Sequence, residues 1–157
     1  MEEYKNYWTL DNTIIFKPEF NEIIDNNMTE LLTGYNKIMF SNYPIYNDCL
    51  RFDNEITEDS QSLFSNSKFN NTINDLHKGL THLYLGNKFN REVNNLPCSI
   101  THLDLGNHFD EKIDKLPCSL INLVIRDSFT TKITVLPVAL KYLTIGDSYS
   151  ESLDNLF

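Results

Sequence analysis

Among the residues able to do chemistry, the most suggestive pair is His82 and His102, set twenty positions apart. Two imidazoles held side by side can share a metal ion. A tetrahedral site needs further donors, however, and the next positions in the same phase are Asn122 and Tyr142, with no carboxylate or thiolate to complete the set. The histidines are therefore read as solvated or partner-facing, with no metal. Cys98 and Cys118 are also twenty apart. Equivalent side chains in neighbouring turns of a parallel stack point the same way rather than at each other, so the reading is two small residues filling a corner. With Cys49 the cysteines number three, odd and without metal-type spacing. Asp104, Asp110, Glu111 and Asp114 bring carboxylates together. A hydrolase or lyase would aim two of them into one groove. Their phases differ, and Lys112 and Lys115 interleave, which describes a solvated surface. No nucleophile elbow, phosphate loop, zinc-protease or dinucleotide motif is present. No enzymatic activity and no cofactor are expected.

The recurring interval of twenty comes from the chain itself. One phrase is written four times, as His77–Pro97, Cys98–Pro117, Cys118–Pro137 and Val138–Phe157. Leu83, Leu103, Leu123 and Leu143 align, as do Leu85, Leu105, Ile125 and Ile145. So do Phe89, Phe109, Phe129 and Tyr149, then Val93, Ile113, Ile133 and Leu153, then Leu96, Leu116, Leu136 and Leu156. A fixed period of this length marks a solenoid, whose coils bury their apolar sides only by stacking.

Within a copy, Thr101-His102-Leu103-Asp104-Leu105 alternates with the two-residue period of a strand, leucines inward and His102 and Asp104 outward. Gly86, Gly106 and Gly146 follow the strand, predicting a sharp turn at positive φ; Arg126 holds that slot in the third copy. The aromatic and the aliphatic four residues later point inward from the return limb. Leu-Pro closes the coil, since proline suits an extended limb that donates no hydrogen bond.

Weaker copies precede the regular ones. Phe69-Asn70…Ile73 and Phe20-Asn21…Ile24 fit, and Tyr46-Asn47…Leu50 fits loosely, spacing the aromatics by 26, 23 and then 20 residues. The expectation is one domain over residues 1–157: a mainly β solenoid of about seven coils, one short parallel strand per coil, with little helix. Residues 1–62 are its irregular coils and cap, and 63–157 its regular repeats. Tyr4, Tyr7 and Trp8 suit the cap, Asp25–Gly34 a short helix, and Arg51–Ser62 a surface loop. Coil four ends in Phe157 where the other copies have proline. That coil is expected to cover itself, pack on another chain, or be the end of a shortened array.

The net charge of −9 is local: twelve acidic residues face four basic ones in residues 1–60, and ten face nine in the rest. Nucleic acid demands clustered positive charge, and an anionic membrane surface repels this balance. No signal-type start and no stretch of membrane-spanning length occurs. A reduced, cytoplasmic protein with neither nucleic acid nor membrane as partner is the expectation.

The phrase Leu-Pro-Cys-Ser-Leu-x-x-Leu-x-Leu-Gly-x-x-Phe-Asn-x-x-Ile resembles the FNIP repeat, a relative of leucine-rich repeats found in many copies in social amoebae and giant DNA viruses. Its Phe-Asn-x-x-Ile signature stands at Phe20…Ile24, Phe69…Ile73 and Phe89…Val93, and is softened at Phe109…Ile113, Phe129…Ile133 and Tyr149…Leu153. Such proteins often carry an F-box, which implies recruitment of substrates to a ubiquitin ligase. The first fifty residues here lack its opening Leu-Pro and its helical spacing.

What varies between copies is the outward strand face. Its rows read His82, His102, Asn122, Tyr142; Tyr84, Asp104, Val124, Thr144; and Thr81, Thr101, Ile121, Lys141. Solubility alone favours Lys and Glu, whereas aromatics and a valine on an exposed sheet favour contact. The first two rows are the expected partner-binding residues, their partner a host or viral protein. The alternatives are a self-assembling structural component joined through the uncapped last coil, or the substrate-recognition part of a ubiquitin-ligase adaptor without its own F-box.

Overall fold

The computed structural model describes residues 7–40, 67–154 and 156, apart from the side chains of Trp8 and Asn26. Among the described residues seven strands form one sheet in chain order: β1 (Tyr7–Leu10), β2 (Thr13–Phe16), β3 (Lys37–Phe40), β4 (His82–Tyr84), β5 (His102–Asp104), β6 (Asn122–Ile125) and β7 (Tyr142–Ile145). The short helix α1 (Asn26–Leu32) follows β2, with Asp25 capping it by accepting the Met28 N–H at 2.9 Å. The protein is mainly β, an LRR-like solenoid with parallel strands, as the repeat requires.

Register explains the twenty-residue period. Ile14, Ile38, Leu83, Leu103, Leu123 and Leu143 occupy one column across β2 to β7. A further buried column missing from the sequence reading is Leu80, Ile100 and Leu120, each donating its N–H back to the residue three earlier, as in Ile100 to the Pro97 carbonyl at 3.1 Å. The proline thus opens a turn whose third following residue drops into the core.

Two expectations need correction. First, among the described residues the parallel stack has six strands, not seven, because β1 runs antiparallel to β2 as a hairpin with Asp11 at φ 48° in its turn. On this hairpin Tyr7 meets Phe16 edge-on at 6.3 Å. β3 pairs directly with β4. Phe69 stacks on Phe40 at 3.8 Å and on Phe20 at 5.9 Å, which makes it the return limb of the β3 coil. The expected coil around Tyr46 lies outside the described residues, as do Tyr4, Cys49 and the whole loop at 51–62.

Second, the glycine after the strand is mostly a matter of closeness. Only Gly106 has positive φ, at 77°, among the described glycines. A Cβ at Gly86 would fall 2.1 Å from the Ser67 Cβ, and one at Gly146 would fall 2.5 Å from the Asp127 Cα. Bare backbone is needed where coils approach.

The phenylalanines form the predicted internal ladder: Phe69–Phe89, Phe89–Phe109 and Phe109–Phe129 stack with centroids 6.0, 6.2 and 6.1 Å apart. Hydrogen-bonded strands lie only about 4.8 Å apart. The stack therefore fans open toward the return limb, and the strand face lies on the inside of the curve.

Candidate interaction surface on the strand face

Alternation along β4 to β7 turns one residue in two away from the core, and register lines these residues up across the sheet. The row Lys37, His82, His102, Asn122 and Tyr142 is continuous. Its first four members are half-buried, while Tyr142 is 65% exposed. His82 and His102 stack face to face with centroids 4.2 Å apart and rings within 4° of parallel. Each ring Nδ1 lies beside the hydroxyl of the preceding threonine, at 2.8 Å for Thr81 and 2.9 Å for Thr101. Those hydroxyls donate to the Asn36 and Thr81 carbonyls of the preceding coil. With its proton so committed, each hydroxyl accepts from Nδ1–H, and Nε2 is left as a lone-pair acceptor. Burial, then His102, then Lys37 pushes the His82 pKa down to about 4; burial and then Lys37 lowers that of His102. At neutral pH the pair presents π surface and acceptors without charge.

The second row is less uniform. Tyr84 and Val124 are half-buried and Thr144 is exposed. Burial, with Asp104 adding to it, raises the Tyr84 hydroxyl pKa to about 12. Asp104 itself is 1% exposed, which removes it from the expected contact set. Its carboxylate accepts from Arg126 Nη2 at 2.6 Å and Nε at 3.2 Å, and from the Gly106 N–H at 2.9 Å. The odd residue in the glycine slot is thus the partner of the odd residue in the outer row. The joint departure of two copies from their pattern was the signal in the sequence. Farther along the row, Ile15 and Met39 are buried although outside the core cluster, so the exposed part of this row starts at Tyr84.

The carboxylates do not converge. Asp110 accepts from the Thr130 and Thr131 backbone N–H groups at 2.7 and 2.8 Å, and Asp114 from the Thr134 hydroxyl at 2.6 Å. Among the described residues, no three His, Cys, Asp or Glu side chains gather to hold a metal. Cys98 and Cys118 are both exposed, so they do not fill a corner.

The residue after each aromatic, missed as a functional position, links the coils. Asn21 Oδ1 accepts the Asn70 N–H, Asn70 that of Asn90, Asn90 that of Asp110, and Asp110 that of Thr130, at 2.7–2.9 Å. An Asn or Asp beside a buried Phe is needed because it carries an acceptor one coil forward.

With strand, turn, aromatic and asparagine each assigned, the pattern can be compared with known proteins. Residues 69–108 match the FNIP repeat. The match covers the return limb from Phe69 to the turn before Phe109, and includes both Phe-Asn steps whose asparagines carry the ladder. Among solved structures the chain is similar to CroV588 of the giant virus CroV, described as a novel circular LRR protein structure. The TM-score is 0.65 at 24% identity, over 98% of this chain and 24% of that one. The present chain thus spans about a quarter of that protein's length. No curated protein matches it. A repeat solenoid of this LRR-like kind is a fold that generally suits contact between proteins.

Proposed function

We propose that this chain is a non-enzymatic interaction module, holding a host or viral protein in the cytoplasm against the inner, strand face of its solenoid. The observation that carries the reading is the continuous row from Lys37 to Tyr142. Its side chains differ from coil to coil, while the columns behind them scarcely change. Tyr84, Val124 and Thr144 flank this row. Beyond Lys37 the row is an uncharged aromatic and amide surface, which suits a partner offering hydrogen-bond donors and apolar side chains, because Nε2 of both histidines and the Asn122 carbonyl accept.

Affinity capture from host cells, with and without infection, tests this. A His102→Ala/Asn122→Ala/Tyr142→Ala variant should lose the partner that wild type retains. Lys112→Ala/Lys132→Ala, exposed on the return limb, should keep it. Identical partner sets for all three proteins would reject the strand face.

A second reading, self-assembly, is favoured by the last coil. Leu143, Ile145, Tyr149 and Leu153 are only partly buried, whereas their equivalents in β4 to β6 are covered. A further solenoid coil stacked there would bury them, and β7 offers a row of backbone groups to it. Light scattering at high concentration tests this: a monomer that stays monomeric removes the reading.

A further inference from the structure

Cys98 and Cys118 occupy the same position in consecutive coils, directly after Leu-Pro, and both are free and exposed. The backbone around them is the same turn twice, closed by Ile100 N–H to the Pro97 carbonyl and Leu120 N–H to the Pro117 carbonyl, each at 3.1 Å. The two side chains therefore leave the surface side by side. Ser119, next to Cys118, fixes how close they come. Its hydroxyl contacts the carbonyl of Cys98 itself and that of Ile100 at 2.8 Å, pinning one turn upon the other.

Four residues on, His102 and Asn122 are paired in the sheet, where the coil step is about 4.8 Å. Disulfides form across Cα separations of about 4.4–6.8 Å, an interval that includes such a step. Parallel side chains start with their Cβ atoms somewhat too far apart, and a small inward tilt of an exposed corner closes the gap. The third position of the column is Val138, 99% exposed and without a thiol, so the pair is confined to these two coils.

We infer that Cys98 and Cys118 form a dithiol modification site, whose reactant is a small disulfide of the glutathione type. One thiolate attacks the small disulfide, giving a mixed disulfide and releasing one thiol. The second thiolate then attacks the protein sulfur of that mixed disulfide and expels the second small thiol. The protein pair loses two electrons and two protons, the small disulfide gains both, and the inter-coil bond is reversed by excess thiol. Oxidised, the β5 and β6 coils are stapled beneath His102 and Asn122.

The test uses the full chain carrying Cys49→Ser, equilibrated in mixtures of reduced and oxidised glutathione and quenched with acid. Intact mass should show the loss of two hydrogens, and peptide mapping should join Cys98 to Cys118. The internal bond should exceed glutathione adducts by at least about tenfold, since the second thiol is held next to the first at high effective concentration. Adding Cys118→Ser should leave Cys98 carrying one glutathione, and reduction should restore both thiols of the parent. The oxidised parent should also unfold at higher temperature than the reduced one. Circular dichroism confirms that the serine variants fold. Adducts on both cysteines without the internal bond, unreacted thiols, or disulfide-linked dimers on a non-reducing gel would each overturn the proposal.

Discussion

At the scale of single residues, the buried Asp104–Arg126 pair shows how one coil tolerates a departure from its pattern. Removing one partner strands a charge with little water to take its place. Asp104→Ala should therefore cost about 3 kcal/mol in urea unfolding. Asp104→Val with Arg126→Gly restores what the neighbouring copies carry, as at Val124 and Gly146, and should recover most of that loss. Additive losses in the double variant would contradict the pairing. His82 makes a second prediction, with its sign set by burial. Its folded pKa of about 4 lies below its ordinary 6.5, so the unfolded chain takes up a proton that the folded one refuses. Its contribution to stability is complete above pH 6.5 and is lost as pH falls from there to about 4. His82→Gln should flatten that part of the stability profile, and the wild-type ring should titrate near pH 4 by NMR. For Asp110, burial pushes the pKa up, but hydrogen bonds from Thr130 and Thr131 outweigh it and leave it below 3.8. A carboxylate lowered in this way stabilises the fold above its unfolded pKa and loses that contribution as pH falls through its folded value. The lowered pKa values of His82 and Asp110 were not legible in the sequence, because they depend on neighbours one coil away. Asp104 keeps the outward phase that the sequence assigns to it, and it is buried because Arg126 from the next coil bonds to it there.

Within an element, the coil is held by two ladders that run through neighbouring positions, Phe inside and Asn at its rim. Phe109 is fully buried between two other rings. Phe109→Ala should cost about 3–5 kcal/mol by chemical denaturation, and Tyr149→Ala clearly less, because Tyr149 has a ring on one side and is partly exposed. Equal losses would mean that stacking depth does not matter here. The alternation of the strands, the aromatic column and the capped α1 could all be read from residue types, because each depends on periodicity or on a local hydrogen bond. The asparagine ladder was not read, although its signature is the Asn beside the Phe. The bond joins residues one coil apart and makes sense only once the coils are known to be in register.

For the whole molecule, the coil count turns on one connection. In regular coils the last inward strand residue precedes the aromatic by four positions, as Leu85 precedes Phe89 and Phe16 precedes Phe20. Phe40 plays the strand role for Phe69, against which it stacks at 3.8 Å, yet the two are twenty-nine positions apart. Counting aromatics places a coil at Tyr46, but a sequence period cannot distinguish an added coil from an insertion within one. The sheet can, since β3 hydrogen-bonds directly to β4. Deleting residues 41–65 leaves Phe40-Asn66-Ser67-Lys68-Phe69 and restores the four-residue step. The solenoid should survive this deletion, with the same β-rich circular dichroism and a single unfolding transition. Shortening the connection by nearly three doublings also removes a closure cost of roughly 1.7 kcal/mol, at about 0.6 kcal/mol per doubling. A chain that instead loses its cooperative transition would show that segment 41–65 is integral to the stack, and that the β3 coil cannot close by the step its neighbours use.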